Sequence, residues 1–262
     1  MIAANGLRFC ARIDGPAAGR AIVFANSLGT DHRVWDRLLP LLPKGLRILR
    51  YDMRGHGLSD APEGDYWMGD LVGDAAALME AAEMRGAVFV GLSVGGVVAQ
   101  GLAAERPDLV SALVLSNTAP KIGTAEIWAD RKRMVAEGGI AALADGVLQR
   151  WFSARWRAEN PDDLALWRHM LLRTPIAGYM GCCAALAETD LRDSTAQLRQ
   201  PALVLAGSAD GSTPPDLVRE MADSMAQARF ELIRGPGHIP CVEAPEATER
   251  LISDFLRETE MP

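Results

Sequence analysis

The chain has few cysteines, and their arrangement argues against cysteine-based structure. Its 262 residues include four, at Cys10, Cys182, Cys183 and Cys241. There is no CxxC pair and no histidine at the spacing of a zinc site, so no metal centre is predicted. The sequence instead predicts reduced thiols in a cytosolic protein rather than a disulfide framework.

Positive charge is also scarce, with 27 Lys and Arg against 34 Asp and Glu and a net charge of −7. Domains that bind nucleic acid carry a basic surface, so no nucleic-acid partner is expected. No apolar run approaches the roughly 18 residues of a membrane span, and the first residues lack a basic segment followed by an apolar core. We therefore expect a cytoplasmic protein with no membrane partner, of undetermined oligomeric state.

Short β-type runs alternate along the chain with helical patterns. The hydrophobic share of 49% and the charged share of 23% are ordinary for a globular domain. Such alternation predicts an α/β fold with a mostly parallel, doubly wound sheet. Strands are predicted at 7–13, 21–25, 46–51, 87–90, 110–116, 202–206 and 229–233, and helices at 34–42, 68–84, 94–105, 216–227 and 247–258.

The alternation stops between residues 120 and 200, where helical patterns follow one another without a strand. This break predicts a helical cap, 120–200, inserted into a core made of 1–119 and 201–262. The cap holds much of the aromatic content of a chain that is only 6% aromatic. Packing inside a small helical layer accounts for most of these side chains, and the remainder could line a pocket. They are Trp128, Trp151, Phe152, Trp156, Trp167 and Tyr179.

A G-x-S-x-G pattern, residues 91–95, follows one predicted strand and precedes a helix rich in small residues. A serine on such a sharp turn has its hydroxyl exposed at the end of the sheet, and the flanking glycines leave room for the tight backbone. Ser93 is therefore the predicted nucleophile. The alternative is a glycine-rich packing turn.

A serine hydroxyl needs a base, and the base needs an acid to orient it. In this architecture the chain order is serine, then acid, then histidine. His238 lies in a loop after the last predicted strand and is the predicted base; the alternative is a histidine that caps the next helix. Asp210 follows the strand at 202–206 and is the predicted acid, with capping of the turn at Gly211 as its alternative.

The oxyanion formed during acyl transfer requires backbone N–H donors. Val94, directly after the nucleophile, is predicted to supply one, and Leu28, in the loop after the strand at 21–25, the other. Ser27 could instead serve there as a cap. Asp52 and Arg54 are interpreted as structural residues of a glycine-rich turn.

With these motifs in place, the chain resembles the α/β-hydrolase superfamily, and more narrowly the 3-oxoadipate enol-lactonases. The resemblance spans nearly the whole length and implies an α/β-hydrolase fold, a serine acyl-enzyme, a small anionic lactone as substrate and no cofactor. The matching segments are 26–30 with Trp35, 51–57, 91–96, 115–123 with Trp128 and Arg131, 150–152 and 209–215.

An anionic substrate entering an acidic protein needs local positive charge. Arg131, near Trp128, is the predicted carboxylate ligand, since a guanidinium forms paired hydrogen bonds with a carboxylate. A solvated helix face is the alternative for Arg131. Trp128 and Trp151 are candidates for the pocket wall, with core packing as their alternative.

Two alternatives to the enol-lactonase function stay open. The first is another enzyme, either a carboxylesterase or a carbon–carbon bond hydrolase. The second is a non-catalytic binding module on the same fold.

Overall fold

The computed structural model describes residues 1–259, in which nine strands alternate with eleven helices. The strands are β1 (Ile2–Ala4), β2 (Leu7–Phe9), β3 (Ala11–Asp14), β4 (Ala21–Ala25), β5 (Arg47–Tyr51), β6 (Ala87–Leu92), β7 (Val110–Ser116), β8 (Ala202–Gly207) and β9 (Ala228–Ile233). The helices are α1 (Met68–Ala81), α2 (Val94–Glu105), α3 (Ala125–Gly138), α4 (Ala141–Trp151), α5 (Ala154–Glu159), α6 (Pro161–Leu172), α7 (Ile176–Glu188), α8 (Arg192–Ala196), α9 (Pro215–Ser224), α10 (Pro240–Glu243) and α11 (Pro245–Glu258).

A seven-stranded sheet forms the centre of the fold, in the order β3-β5-β4-β6-β7-β8-β9. Only β3 runs antiparallel to its neighbour, and the other six strands are parallel. Every residue of β6 and β8 is buried, as expected for central strands of a parallel sheet covered by helices on its faces. The predicted α/β-hydrolase fold with a mostly parallel sheet is thus confirmed.

The single strand predicted at 7–13 is wrong in one respect, because it is interrupted at Cys10 and forms two strands. β2 pairs with β1 in a separate two-stranded sheet, whereas β3 joins the edge of the main sheet. Cys10 donates its amide hydrogen to Ser59 Oγ at 2.9 Å, and its carbonyl accepts from the Asp52 amide at 2.9 Å. These bonds to the loop after β5 occupy the backbone of Cys10 and end the first pairing there.

The helix predicted at 34–42 is instead two short 3₁₀ turns, His32–Trp35 and Leu39–Leu41. Pro40 lies in the second turn and has no N–H to continue an α-helical ladder. Asp31 caps the first turn through the Arg33 amide. Val34, Trp35 and Leu38 are buried, but the proline prevents the continuous helix.

Between β7 and β8 the chain forms six helices, α3–α8, which we call the helical insertion. In its interior the Phe152 ring stacks on Trp156 with centroids 4.4 Å apart and lies 5.9 Å from Trp167.

No single helix of residues 1–259 is long and apolar enough to cross a membrane. Helices α6 and α7 meet that criterion only together, as a pair bent by 85°.

Helix α2 approaches the sheet so closely that its second residue must be glycine. A Cβ on Gly95 would lie 2.5 Å from the Ala25 carbonyl oxygen and 2.7 Å from that of Asn26. Gly96 faces the Thr118 side chain in the same way, with a Cβ position 2.5 Å from its methyl carbon. The small residues of this helix therefore set the distance between α2 and β4.

We expect Gly95→Ala to lower the free energy of unfolding by about 1–3 kcal/mol or more, because backbone must shift to admit the methyl group. Gly69→Ala is the matched control. Gly69 lies in α1 with nothing within 4 Å of its Cβ position, so alanine there should raise stability by about 0.5–1 kcal/mol. Urea unfolding measures both, and equal effects at the two positions would contradict this account.

Candidate active site

Ser93 occupies the turn between β6 and α2 in a backbone conformation that side chains rarely adopt, with φ +56° and ψ −117°. Its amide donates to the Ser116 carbonyl at 3.0 Å, and its carbonyl accepts from Thr118 Oγ1 at 2.7 Å. The Ser93 hydroxyl does not cap α2. A Cβ on Gly91 would lie 2.2 Å from the Gly95 carbonyl oxygen, so the turn requires glycine there.

Asp210 and His238 are held together in the interior. Asp210 Oδ2 lies 2.8 Å from His238 Nδ1, and the two residues are only 6% and 2% exposed. Asp210 also accepts from the Ser212 amide at 2.7 Å, so the carboxylate caps its own turn and binds the histidine at once. His238 makes no side-chain cap to α10.

Two further side chains fix the Asp210 carboxylate. Asn117 Nδ2 donates to Oδ2 at 2.8 Å, and Thr213 Oγ1 donates to the same oxygen at 2.7 Å. Burial alone would raise the pKa of Asp210. Its pKa is nevertheless lowered below the usual value, because His238 contributes a charge and a hydrogen bond and because Asn117 and Ser212 donate further hydrogen bonds. The carboxylate is therefore ionised and oriented toward the imidazole.

The C-terminus of α4 is hydrogen-bonded to the loop after Asp210 and to the loop that contains His238. The Trp151 carbonyl accepts from the His238 amide at 2.8 Å, and the Arg150 carbonyl accepts from the Gly211 amide at 3.4 Å. Glu243 joins the same elements, since its Oε1 accepts from the Gly237 amide at 2.7 Å while its Oε2 accepts from the Ser153 hydroxyl at 2.7 Å. The helical insertion is thus hydrogen-bonded to the segments that carry Asp210 and His238.

The loop after β4 leaves the Leu28 amide available. The neighbouring amides are all engaged: Ser27 donates to Thr30 Oγ1, Gly29 to His56 Nε2 at 3.0 Å and Thr30 to the Ser27 carbonyl. Across residues 1–259 the Leu28 amide has no protein acceptor. The Val94 amide, at the first position of α2, likewise has none among the described residues.

His56 maintains that loop in its observed conformation. Its Nδ1 donates to the Arg54 carbonyl at 3.0 Å, which leaves Nε2 to accept from Gly29. Complete burial lowers the pKa of His56, so the ring is neutral and can serve as that acceptor. Arg54 itself is bound to the Asp74 carboxylate with an Nη2–Oδ1 distance of 2.7 Å, a structural role like the one predicted.

A cavity of about 290 Å³ brings the candidate residues together. Ser93, His238 and the predicted substrate-binding residues all line it, whereas the Asp210 and Val94 side chains lie outside. Trp128 is oriented by a hydrogen bond from Nε1 to the Ile122 carbonyl at 2.6 Å. The remaining wall is mainly apolar, and its members include Leu28, Ile122, Val147, Trp151, Tyr179 and Leu186.

Two arginines give the cavity positive charge. Arg131 stacks over Trp128, with its guanidinium carbon 4.8 Å from the ring centroid, and lies close to Tyr179. Arg150 is half-buried, and burial together with the nearby Arg131 lowers its pKa. Neither arginine has a carboxylate within salt-bridge distance among residues 1–259. The cavity therefore contains two arginine side chains that no carboxylate of the described residues neutralises, and the candidate nucleophile Ser93 lines the same cavity.

Comparison with known proteins connects this geometry to a family. Residues 20–245 match the family model described as the alpha/beta hydrolase fold. The chain belongs to the alpha/beta hydrolase family. Its members share a serine-bearing turn between strand and helix, and that turn is present here at Ser93.

Several members of this family are similar to the chain over nearly its whole length. A 3-oxoadipate enol-lactonase of Acinetobacter baylyi is 33% identical over 253 residues, which cover 97% of this chain and 94% of that protein. The crystal structure of the enol-lactonase from Burkholderia xenovorans LB400 superposes with a TM-score of 0.94 at 39% identity, covering 98% and 99% of the two chains. A non-heme chloroperoxidase of Streptomyces lividans is 30% identical, covering 93% and 94%. The resemblance to enol-lactonases is confirmed, and the protein is a hydrolase.

Five residues that the structure brings into this candidate site are not among those predicted from the sequence. Asn117, at the end of β7, and Thr213, three residues after Asp210, both donate to the Asp210 carboxylate, but an uncharged side chain gives no sequence signal that it orients a carboxylate. His56, Glu243 and Arg150 act at positions far along the chain from the groups they contact. All of them except Glu243 stand in segments that match the enol-lactonases, so the resemblance carries a usable signal for them; these segments are 51–57, 115–123, 150–152 and 209–215.

The pKa of Asp210 predicts how acid affects stability. A carboxylate whose pKa is lowered in the folded state contributes stability above its unfolded pKa of about 3.9, and loses it as pH falls through the folded value. We therefore expect Asp210→Asn to be less stable than the wild type at about pH 6, with a difference that shrinks toward pH 3. Urea unfolding across this range measures it. Asp223→Asn removes an exposed carboxylate as control, and a constant difference for Asp210→Asn would contradict the lowered pKa.

Proposed function

We propose that the protein hydrolyses 3-oxoadipate enol-lactone to 3-oxoadipate through a serine acyl-enzyme. The observation that carries the proposal is the cavity in which Ser93 and His238 lie beside two arginines without acidic partners. Its volume of about 290 Å³ is near the lower end of about 300–1,000 Å³ for small-molecule sites and favours a small substrate.

Ser93 is the proposed nucleophile, with His238 as its base and Asp210 as the orienting acid. The Asp210 carboxylate engages His238 Nδ1 at 2.8 Å, so Nδ1 carries the proton and Nε2 is the ring atom that can accept one from Ser93. As the imidazole becomes positively charged, the buried carboxylate stabilises it. Asn117 and Thr213 hold that carboxylate against rotation.

Attack by the Ser93 oxygen on the lactone carbonyl forms a tetrahedral oxyanion. The Leu28 and Val94 amides, which donate to no acceptor among the described residues, are the proposed donors to it. Val94 also stands at the N-terminus of α2, where the helix dipole favours negative charge. Such preorganised donors are each worth roughly 10²–10³ in kcat.

Collapse of this intermediate breaks the ring carbon–oxygen bond. The leaving oxygen departs as an enolate, takes the proton held by His238 and the resulting enol tautomerises to the ketone. Because the ester is cyclic, the leaving group stays covalently attached to the acyl-enzyme. A water molecule deprotonated by His238 then attacks the acyl carbon, and Ser93 leaves with the returned proton.

The substrate carboxylate is the proposed partner of the two arginines. A guanidinium forms paired hydrogen bonds with a carboxylate, and Arg131 is held over Trp128 and against Tyr179 in the cavity wall. Arg150 adds a second positive charge. The enol-lactonases of Acinetobacter baylyi and Burkholderia xenovorans, both similar to this chain over nearly its full length, support this choice of substrate.

We expect the purified protein to open the enol-lactone, measured as loss of its ultraviolet absorbance, and Ser93→Ala to lower kcat by at least about 10⁴-fold. Ser111→Ala, an exposed serine hydroxyl bonded to the Gly86 carbonyl, is the matched control and should leave kcat unchanged. Full turnover by Ser93→Ala would contradict the assignment of the nucleophile.

Arg131→Gln and Arg150→Gln should each raise KM for the anionic lactone by about 10–100-fold, the range for loss of a hydrogen bond to a charged group. KM for a neutral aryl ester should change by less than about threefold, because that ester lacks the carboxylate. Arg133→Gln, on the same helix as Arg131 but exposed and paired with Asp130, controls for loss of positive charge. Equal effects on both substrates would argue against carboxylate recognition.

The apolar part of the cavity wall supports a second candidate, the hydrolysis of small neutral esters. Ile122, Val147 and Leu186 offer no polar group to a substrate, and they suit an alkyl or aryl ester. Comparison of kcat/KM for the lactone and for short aryl esters separates the two functions. A higher value for the simple esters would favour the carboxylesterase.

A further inference from the structure

A second cluster of reactive side chains lies outside the active-site cavity. One ligand-type atom from each of Cys10, His32 and Asp52 falls within 4.8 Å of the other two. His32 Nδ1 is 2.6 Å from Asp52 Oδ1. None of the three side chains lines the cavity that holds Ser93.

The edge of the main sheet brings these residues together. Cys10 directly precedes β3 and Asp52 directly follows β5, and the antiparallel pairing of those strands aligns Ala11 with Tyr51. The hydrogen bond from the Asp52 amide to the Cys10 carbonyl, 2.9 Å, continues that ladder. His32 begins the first 3₁₀ turn, and its amide donates to Asp52 Oδ1 at 2.8 Å.

A cavity of about 400 Å³ gives solvent access to the cluster, and all three side chains line it. His32 is only 7% exposed, yet its Nε2 has no hydrogen-bond partner among residues 1–259. Among residues 1–259, the buried side-chain atoms without a hydrogen-bond partner do not include His32 Nε2, so this nitrogen is accessible from the cavity. A ligand that enters the cavity can therefore reach it.

We propose that Cys10, His32 and Asp52 bind a divalent transition-metal ion of the zinc class. A thiolate, an imidazole and a carboxylate form a donor set typical of zinc, and three protein ligands leave a fourth position for water from the cavity. The charges balance as well, because one thiolate and one carboxylate neutralise a divalent cation. The site would be independent of the proposed lactonase chemistry.

Ligation requires only a small rearrangement. Two ligands about 2.0 Å from a tetrahedral ion lie about 3.3 Å apart, so His32 Nδ1 and Asp52 Oδ1 must separate by less than about 1 Å. The proton on Nδ1 moves to Nε2, which faces the cavity, and the thiol releases one proton to solvent. The net change is one proton released for each ion bound.

The hydrogen bonds around Asp52 support this arrangement. When Oδ1 binds the ion, the carboxylate keeps the His32 amide at 2.8 Å and the Leu58 amide at 2.9 Å, which orient it as outer-shell donors do in metal sites. Arg33 lines the same cavity but is neutralised by Asp31, with an Nη2–Oδ2 distance of 2.6 Å. Arg12 and Arg173 are exposed at the cavity, where solvent screens their repulsion of a cation.

Cobalt(II) is the probe of choice because it occupies zinc-type sites and absorbs light. Titration of chelator-treated full-length protein should give one ion per chain, with a thiolate-to-cobalt charge-transfer band in the near ultraviolet, and zinc(II) should displace it. Cys10→Ser should abolish that band, and His32→Gln should weaken binding by at least about tenfold. Cys241→Ser, a buried thiol outside the cluster, and His169→Asn, an exposed histidine, are the matched controls and should bind as the wild type does.

The result is decisive in either direction. Absence of a charge-transfer band in the wild type, or its persistence in Cys10→Ser, would overturn the proposal. Should Cys10→Ser fail to fold, His32→Gln provides the same test through its affinity, since an unchanged affinity would contradict ligation by the imidazole. Lactone turnover by the chelator-treated protein is measured separately, and its presence or absence bears on the proposed function without affecting this site.

Discussion

The rest of the active site is arranged around the backbone of Ser93, whose positive φ is unfavourable for any residue with a Cβ. Three sets of hydrogen bonds hold this conformation. The Ser93 amide donates to a carbonyl of β7, and the Ser93 carbonyl accepts from amides in the first turn of α2 and from the Thr118 hydroxyl. Glycines at 91 and 95 are required because backbone atoms lie where their side chains would be. The energetic cost of the turn is offset by the packing of a buried strand and helix, and its result is a hydroxyl at the end of the sheet.

The helical insertion does more than cover that hydroxyl. Its second helix, α4, ends where the loops that carry Asp210 and His238 meet, and the last two carbonyls of α4 accept hydrogen bonds from both loops. Glu243 adds a third connection between insertion and core. One hydrogen-bonded unit therefore contains both the residues that line the cavity and those that position His238. A change in the insertion is expected to alter the cavity wall and the position of His238 together.

Charge is distributed unevenly over this acidic chain. Most exposed arginines pair with neighbouring carboxylates, as Arg133 does with Asp130 and Arg192 with Asp190. Arg131 and Arg150, in contrast, face the cavity without such partners in the described part of the chain. Because an unpaired, half-buried cation is costly without an anion, this exception has more weight for function than the net charge of the molecule.

The local sequence was sufficient to predict the fold class and the central strands, and it singled out Ser93, Asp210 and His238 as candidate residues. Each of these depends on patterns within a few residues: apolar runs, glycine spacing and loop position after a strand. Apolar periodicity does not predict the broken strand at Cys10 or the 3₁₀ turns around Pro40, because hydrogen bonds to a distant loop and a single missing N–H outweigh it. The contacts that Asn117, His56, Glu243 and Arg150 make are visible only in the folded molecule, as is the grouping of Cys10, His32 and Asp52. Their partners lie between 20 and more than 90 positions away. Such groups come within hydrogen-bond distance only in the folded molecule, where the sheet gathers the ends of separate strands and the helical insertion packs against the loops that follow them.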